Sequence, residues 1–504
     1  MSAPVDPFNS IYNILIVVTI ITLLARRFNF PQTLAMIIAG IYSTFFTNFQ
    51  LPTLESEIFI TLLLPPILFQ ETLHLNVDDL LDDSDIILSY SIIGTIMMVI
   101  SISLFSMYAL NLGILESILM GVVIAPTDPV SVISSFQKMG VVKRFQLLVA
   151  GESLFNDGVA ILIYSILLTS ITVGAMSIYD VSVLAMITIL GGVIIGVLNG
   201  YLVHTIFCWT DDKYVKVLLT FIVVFGGFKL TEELGSSGVL ATVFSGLIIN
   251  YRCKQYGGVD NMSLDMLDAL WAFVGFIAQS LAFIFIGVNT DIEVLISYAL
   301  PILSISAFII IARYLMVVIL AKVIQKTRNK EIPPNWILGI TWSGLRGGVS
   351  VVLALGVDSL GLPQGEEILA LTFGIVLLSN IIQGITMSSI AKILNLHTSS
   401  SSVNIFGDLF DIEKRYSPVK YKKNRSLPER MLFSFPEYLV NETRMGNWFS
   451  KQILNVLGWI NIVMIKRIPK PEDTFIHKII NKMTDIAIKI LNWISYYMEK
   501  NREE

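Results

Sequence analysis

The sequence predicts an all-α polytopic membrane protein with about thirteen transmembrane helices and a helical cytoplasmic tail. Hydrophobic residues make up 54% of the 504 residues and charged residues only 14%, whereas soluble domains average about 25% charged residues. Apolar runs of spanning length, at least ~17 residues, recur throughout the first 396 residues. In lipid such runs must satisfy their own backbone hydrogen bonds, and a single segment does so as a helix.

The apolar runs follow one another closely, and three of them have unusual lengths. The run at 235–250 is short and rich in small residues, so it could be a broken or half-buried helix. The runs at 178–209 and 293–325 are long enough that they must tilt or protrude. The complete set is 8–25, 31–48, 57–75, 86–110, 112–135, 144–171, 178–209, 213–230, 235–250, 266–290, 293–325, 335–357 and 366–395.

Basic residues set the predicted orientation. Lysine and arginine cluster in every second connection except the one after the third run, whereas the connections between carry mostly acidic residues. The positive-inside rule then predicts an outside N-terminus and an inside C-terminus. One predicted inner loop, residues 78–85, carries five aspartates and no base. We expect it to be a solvated loop, with a cation-attracting funnel as the alternative.

The tail at 397–504 differs from the membrane domain at 1–396. A serine run at 399–402 is typical of a linker, and the basic cluster Lys414–Arg425 follows it. The stretch Glu472–Glu499 shows helical spacing of its apolar residues. These features favour helices that lie on the inner leaflet, and a small cytosolic domain remains the alternative.

The fifth apolar run contains Ala125-Pro126-Thr127-Asp128-Pro129 at its centre. Proline removes a backbone donor and clashes with the preceding turn, so the helix should break here. Broken backbone at membrane depth is tolerated only where it is buried in protein or lines a water-filled cavity. Asp128 could simply cap the second half of a kinked helix, or it could belong to a cation site. The two interpretations are compatible.

The sixth run contains two carboxylates, Glu152 and Asp157, within six residues. Each carboxylate at bilayer depth costs at least ~2.5–3.5 kcal/mol, which points to an ion path, a proton relay or a buried pair. Ser153 lies four residues before Asp157 on one helix face, which suits a cation and a proton. Glu152 shares the neighbouring face with Asn156 and needs a permanent partner.

Two arginines inside later runs are candidate partners for Glu152. Arg346 lies among glycines in a spanning run and suits a buried ion pair, so we predict a Glu152–Arg346 pair. Arg313 is a second candidate, although it could instead snorkel toward an interface. In the third run, Glu71 could face a cavity or lie at the interface. His74 beside it could titrate near neutral pH, but a lone interfacial histidine is more often solvated.

Taken together, these motifs resemble the sodium/proton antiporters of the cation–proton antiporter superfamily, of the NhaP and eukaryotic NHE type. The resemblance covers about residues 8–396, and four ordered motifs carry it. Phe285-Ile286-Gly287-Val288 is also similar. The four motifs are Leu64-Pro65-Pro66-Ile67-Leu68-Phe69, Pro126-Thr127-Asp128-Pro129, Gly151-Glu152-Ser153-Leu154-Phe155-Asn156-Asp157-Gly158 and Gly344-Leu345-Arg346-Gly347.

The resemblance implies a thirteen-helix fold with inverted repeats and crossing broken helices, in a homodimer. It implies that Asp157 carries the cation or the proton, with Na⁺ held by Asp157 and Asp128. Ser153 and the backbone at Thr127 would complete the coordination. Asn156 would brace the site, and Glu152–Arg346 would be structural. The family commonly has a glutamate directly after Leu-Phe in the third helix; here Gln70 stands there and Glu71 follows it.

The resemblance therefore implies a secondary active transporter, not an enzyme, that exchanges Na⁺ or Li⁺ for H⁺ by alternating access, electroneutrally, in the plasma membrane. The sequence shows no histidine-rich metal spacing, nucleophile elbow or phosphate-binding loop. No cofactor or nucleic-acid partner is expected, and anionic lipid is expected at the tail. The alternatives are the same machinery carrying K⁺, and a channel or sensor that retains the fold.

Overall fold

The computed structural model describes residues 7–28, 30–44, 59–128, 130–173, 177–256, 259–328 and 330–396. The regular elements within these residues are helices. The described residues up to 204, together with 211–396, belong to one compact unit. The predictions for the tail at 397–504, including the linker, the basic cluster and the amphipathic stretch, lie outside the described residues.

The helices follow one another along the whole described chain. They are α1 (Pro7–Arg27), α2 (Gln32–Thr44), α3 (Leu64–His74), α4 (Val77–Asp82), α5 (Ser84–Leu88), α6 (Thr95–Ala109), α7 (Ile114–Ile124), α8 (Val130–Met139), α9 (Lys143–Val173), α10 (Ile178–Phe207), α11 (Lys213–Phe221), α12 (Phe228–Glu233), α13 (Gly238–Tyr256), α14 (Asn261–Val288), α15 (Ile292–Ser297), α16 (Ala299–Arg328), α17 (Pro334–Trp342), α18 (Gly348–Asp358), α19 (Gly365–Ser379) and α20 (Ile385–Ile393). Short π-helical turns precede or join some of them, at Phe59–Leu63, Ser89–Gly94, Ile222–Gly227 and Asn380–Gly384.

Seven helical stretches in the described residues are long and apolar enough to cross a bilayer. Each of the thirteen predicted runs corresponds to one helix or a pair of helices, and the total number of spans stays a prediction. The seven stretches are Ser84–Ala109, Lys143–Ile171, Tyr179–Phe207, Lys213–Glu233, Met262–Val288, Ala299–Arg328 and Gly365–Ile393.

One of the unusual runs differs from expectation, and another contains two helices. The run at 235–250 is neither broken nor half-buried, because α13 is continuous and mostly buried. The run at 293–325 does not form one long helix, since its first residues form the separate short helix α15 before α16 begins. Asp291 begins α15 as an N-cap, accepting a hydrogen bond from the Glu293 backbone at 2.8 Å.

Small residues explain why α13 is so deeply packed. Gly192, Gly196 and Gly200 form a stripe along α10, spaced four residues apart on one face. A Cβ atom at Gly196 would collide with Ala241 of α13, and one at Gly200 would lie too close to Ile248. Small residues let backbones approach closely in membranes, where packing rather than water exclusion holds helices together.

A second close contact joins α2 to α14. A Cβ atom at Gly40 would collide with the Ile284 carbonyl, and one at Gly287 would collide with the Ile37 carbonyl. Only glycine therefore fits at this pair of positions. Helix α3 also packs against α14, and both helices contribute residues to one cleft.

Two runs are broken in the middle, as the sequence predicts for the first of them. Helix α7 ends at Ile124 and α8 begins at Val130, so the break holds Pro126. Helix α17 ends at Trp342 and α18 begins at Gly348. One break lies in each half of the chain, an arrangement that an inverted repeat would produce.

Candidate functional site

The two helix breaks lie against each other. The backbone N–H of Asp128 in the first break donates to the Leu345 carbonyl in the second, at 2.8 Å. A Cβ atom at Gly347 would collide with the Asp128 side chain, so this position requires glycine. The Asp128 carboxylate therefore lies at the N-terminal end of α18, where backbone N–H groups and the helix dipole favour negative charge.

Arg346 holds the first break open. Its Nη1 atom donates to the carbonyls of Ala125 at 2.7 Å and Pro126 at 3.0 Å. In an intact helix the Ala125 carbonyl would accept from residue 129, which is proline and has no N–H. The fully buried guanidinium thus replaces a missing backbone donor. Asn380 in turn donates to the Arg346 carbonyl at 3.0 Å.

Helix α9 supplies the next layer of the site. Its Ser153 hydroxyl donates to the Thr127 carbonyl at 2.5 Å, and its Asn156 amide donates to the Thr127 hydroxyl at 2.7 Å. Both side chains are almost fully buried. These two bonds tie α9 to the first break, next to Asp157, the residue that follows Asn156.

A cleft opens beside the breaks and is lined by three carboxylates. They are Asp157, Asp128 and Glu71, and the cleft walls otherwise come mainly from α3, α14 and the start of α18. Asp157 is 8% exposed, and its Oδ1 atom has no hydrogen-bond partner within the described residues. Three carboxylates in one cleft repel one another when ionised, so the site favours a cation or a proton.

The structure settles which residue of the third run faces this cleft. Glu71 lines it, whereas the Gln70 amide lies against Gly275 of α14, where a Cβ atom would collide with it. His74 lies one turn further along α3. It is about half exposed and its Nδ1 atom is 3.4 Å from Asp268.

The predicted Glu152–Arg346 pair is wrong. Glu152 pairs instead with Arg313 of α16, whose Nη2 atom is 2.9 Å from Oε1, and both side chains are buried. Arg313 therefore does not snorkel to an interface. A Cβ atom at Gly344 would collide with its guanidinium, so the glycine of the second break makes room for Arg313. Arg346 is engaged by the carbonyls of the first break.

The acidic loop is only partly solvated, contrary to the leading expectation. Asp83 is buried and accepts two hydrogen bonds from Arg144, at 2.6 and 2.8 Å, while Lys330 lies 2.7 Å from Asp85. Burial alone would raise the pKa of Asp83. The hydrogen bonds and charges of Arg144 and Lys330 outweigh that effect and lower the pKa below its usual value. Arg144 and Lys330 lie far from this loop in the sequence, so the loop has basic partners although it contains no base itself.

Two cleft residues were missed by the sequence analysis. Gln279 lies on α14 and Ser350 in the first turn of α18, and both line the cleft with the carboxylates. For Ser350, the signal in the sequence was a polar residue just after the glycines of the second broken run. That signal is weak, because serine is common in membrane helices.

The comparisons agree with the geometry. A family model described as "Sodium/hydrogen exchanger, transmembrane" matches residues 14–393. The Na⁺/H⁺ antiporter ApNhaP of Aphanothece halophytica is 31% identical over 368 residues, covering 73% of this chain and 70% of the relative. The Na⁺/H⁺ antiporter NhaP of Pseudomonas aeruginosa is 30% identical over 355 residues, covering 67% of this chain and 81% of that protein.

A solved structure shows the same fold. The sodium proton antiporter MjNhaP1 from Methanocaldococcus jannaschii, at pH 8, superposes with a TM-score of 0.64 at 20% identity. The match covers 77% of this chain and 98% of that chain. The sequence prediction of an all-helical polytopic fold is thereby confirmed.

Proposed function

The chain belongs to the sodium/hydrogen exchanger family, and we propose that it exchanges Na⁺ or Li⁺ for H⁺ at the cleft between the two helix breaks. The cleft is reached from one side at a time, by alternating access. Asp157 is the carboxylate that carries Na⁺ and H⁺ in turn. Asp128, Glu71, Ser153 and the backbone at Thr127 complete the cation site.

The observation that carries this proposal is the state of Asp157. It is almost fully buried, its Oδ1 atom has no hydrogen-bond partner within the described residues, and neighbouring Asn156 and Ser153 are held by Thr127. Buried polar atoms are normally satisfied, so such an oxygen is suited to a ligand that comes and goes. A proton and Na⁺ both fit a carboxylate oxygen.

One carboxylate that binds either ion gives one-for-one exchange. Na⁺ and H⁺ carry the same charge, so a full cycle at Asp157 moves no net charge. Asn156, which stands beside it, cannot titrate. The Asp128 carboxylate lies at the N-terminal end of α18, where the helix dipole offsets its negative charge. We therefore propose electroneutral exchange.

The surroundings of the transporter are also proposed. The distribution of lysine and arginine supports an outside N-terminus and a cytoplasmic tail in the plasma membrane. We propose a homodimer, and a tail at 397–504 that regulates exchange by binding anionic lipid through Lys414–Arg425. The lipid role would be refuted if neutralising these bases did not weaken vesicle binding by the intact protein.

The decisive test is ion exchange by the purified protein in proteoliposomes. A pH-sensitive dye inside the vesicles reports proton movement when Na⁺, Li⁺ or K⁺ is added outside. Wild type should respond to Na⁺ and Li⁺, without a dependence on membrane potential. Asp157→Asn should abolish the response in folded protein, and the exposed Asp79→Asn should leave it intact. A response to K⁺ alone would favour the potassium alternative, and undiminished flux in Asp157→Asn would refute the assignment.

A further inference from the structure

Ser350 has an unusual environment for a buried serine. It is the third residue of α18 and is 0% exposed. Its hydroxyl oxygen has no hydrogen-bond partner within the described residues. Buried hydroxyls nearly always have such a partner, and an exception requires an explanation.

The position of Ser350 in its helix explains why the usual partner is missing. Serine and threonine in helices commonly donate to a carbonyl three or four residues earlier, as Thr372 does to Ile368 at 2.7 Å. For Ser350 these carbonyls belong to Arg346 and Gly347, which precede the first residue of α18. The Arg346 carbonyl already accepts from Asn380. The Ser350 hydroxyl bonds to neither carbonyl in the described structure, so it is left for another partner.

That hydroxyl belongs to a residue of the ion cleft. Ser350 lines the cleft together with Asp128 and Asp157. The Oδ1 atom of Asp157, which lines the same cleft, is likewise buried and without a partner in the described part of the chain. Oxygen atoms whose lone pairs accept no hydrogen bond, and which lie beside carboxylates, are the ligands that hard cations require in place of their hydration shell.

We propose that the Ser350 hydroxyl oxygen is a ligand of the transported Na⁺, supplied by the second broken helix. This inference rests on the function proposed above and adds a ligand to the same site. A hydroxyl has two lone pairs and can accept the cation without changing its own charge. It replaces one water of the hydrated ion. Because the hydroxyl is neutral, it leaves the net charge of the site unchanged during the exchange cycle.

The electrostatics of α18 are compatible with this role. The N-terminal end of a helix carries partial positive charge, which by itself disfavours a cation. The Asp128 carboxylate lies against that end, close to Gly347, and offsets the positive charge. A Na⁺ ion between Asp128 and Asp157 would therefore meet Ser350 in a region of net negative charge.

The test compares three variants in proteoliposomes that carry the full-length protein. Ser350→Ala removes the proposed ligand, and Ser350→Thr keeps a hydroxyl. Ser106→Ala is a matched control, because the Ser106 hydroxyl is equally buried and without a partner among the described residues, but lies on α6 and does not line the cleft. The measurements are the Na⁺ KM at a fixed alkaline pH, the maximal rate and the pH profile at saturating Na⁺.

We expect Ser350→Ala to raise the Na⁺ KM about two- to tenfold, the range set by the loss of one polar contact. The maximal rate and pH profile should stay close to wild type, because the titrating carboxylate is untouched. Ser350→Thr should restore most of the affinity, and Ser106→Ala should keep the wild-type KM.

Two results would overturn the assignment. An unchanged Na⁺ KM in folded Ser350→Ala would show that the hydroxyl does not bind the cation. A shifted pH profile with an unchanged KM would show that the hydroxyl serves a carboxylate instead. Either failure is distinct from failure of the proposed function, which would appear as absent Na⁺-driven proton flux in the wild type.

Discussion

Arg313 places its Nη2 atom 2.9 Å from one oxygen of Glu152 and 3.1 Å from the other. Both side chains are buried, with 4% and 5% of their surface exposed. The same guanidinium donates to the Ile340 carbonyl in α17. Arg313 of α16 therefore links α9, the helix that carries Asp157, to α17, the helix that ends at the second break.

Breaking this pair from one side should destabilise the protein strongly. Removing one partner of a buried ion pair leaves an uncompensated charge, which costs ~3–5 kcal/mol. Glu152→Gln and Arg313→Met should each lower the melting temperature of the purified protein, and the double variant should lose less than the sum. A second double-mutant cycle, with Arg346→Met in place of Arg313→Met, should show weaker coupling to Glu152→Gln. Equal coupling for both arginines would contradict the observed pairing.

Glu71 and Gln70 should differ sharply in their effect on cation affinity. Glu71 lines the cleft, so Glu71→Gln removes one of its three carboxylates and should raise the Na⁺ KM. Gln70 packs against Gly275, so Gln70→Ala should leave the Na⁺ KM close to wild type. Sodium titrations of proton flux measure both. A larger effect from Gln70→Ala than from Glu71→Gln would place the wrong residue in the ion path.

Asp83 should make stability depend on acid pH. Its pKa lies below the usual value of 3.8, because the hydrogen bonds and charges of Arg144 and Lys330 outweigh the effect of burial. A carboxyl group whose pKa is depressed in the folded state stabilises the protein above about pH 4. This stabilisation is lost as the pH falls further and the carboxylate is protonated. Asp83→Asn should lower the melting temperature at pH 7, and the difference should shrink toward pH 3. A difference that does not change with pH would refute this ionic contribution.

The sequence predicted the first helix break and the polar residues near it, for clear physical reasons. Proline lacks an N–H, and carboxylates are costly in lipid. Pro126, Asp128 and Asp157 can therefore be recognised as candidate site residues from the sequence alone. Long apolar runs likewise predict helices. The contacts that Ser153 and Asn156 make with Thr127 follow from the placement of α9 beside the first break, which the sequence does not specify.

Two features could not be predicted from the sequence. The partner of Glu152 is decided by three-dimensional packing, because both arginines lie far from it in sequence and both suit a buried carboxylate. The orientation of Glu71 toward the cleft, with Gln70 against Gly275, is seen only once α3 is packed on α14. The π-helical turn Phe59–Leu63 lies just before α3. A π turn departs from the helical period of 3.6 residues, so counting residues along the run misplaces the faces that follow.

In the proposed exchange cycle, Na⁺ and H⁺ compete for Asp157. The most direct measurement is the Na⁺ KM of the wild-type protein as a function of pH on the side where Na⁺ is added. Competition predicts that the KM rises as the pH falls, approaching about tenfold per pH unit once the carboxyl group is mostly protonated. The maximal rate at saturating Na⁺ should change far less. A Na⁺ KM that stays constant while the maximal rate falls with pH would contradict a shared site.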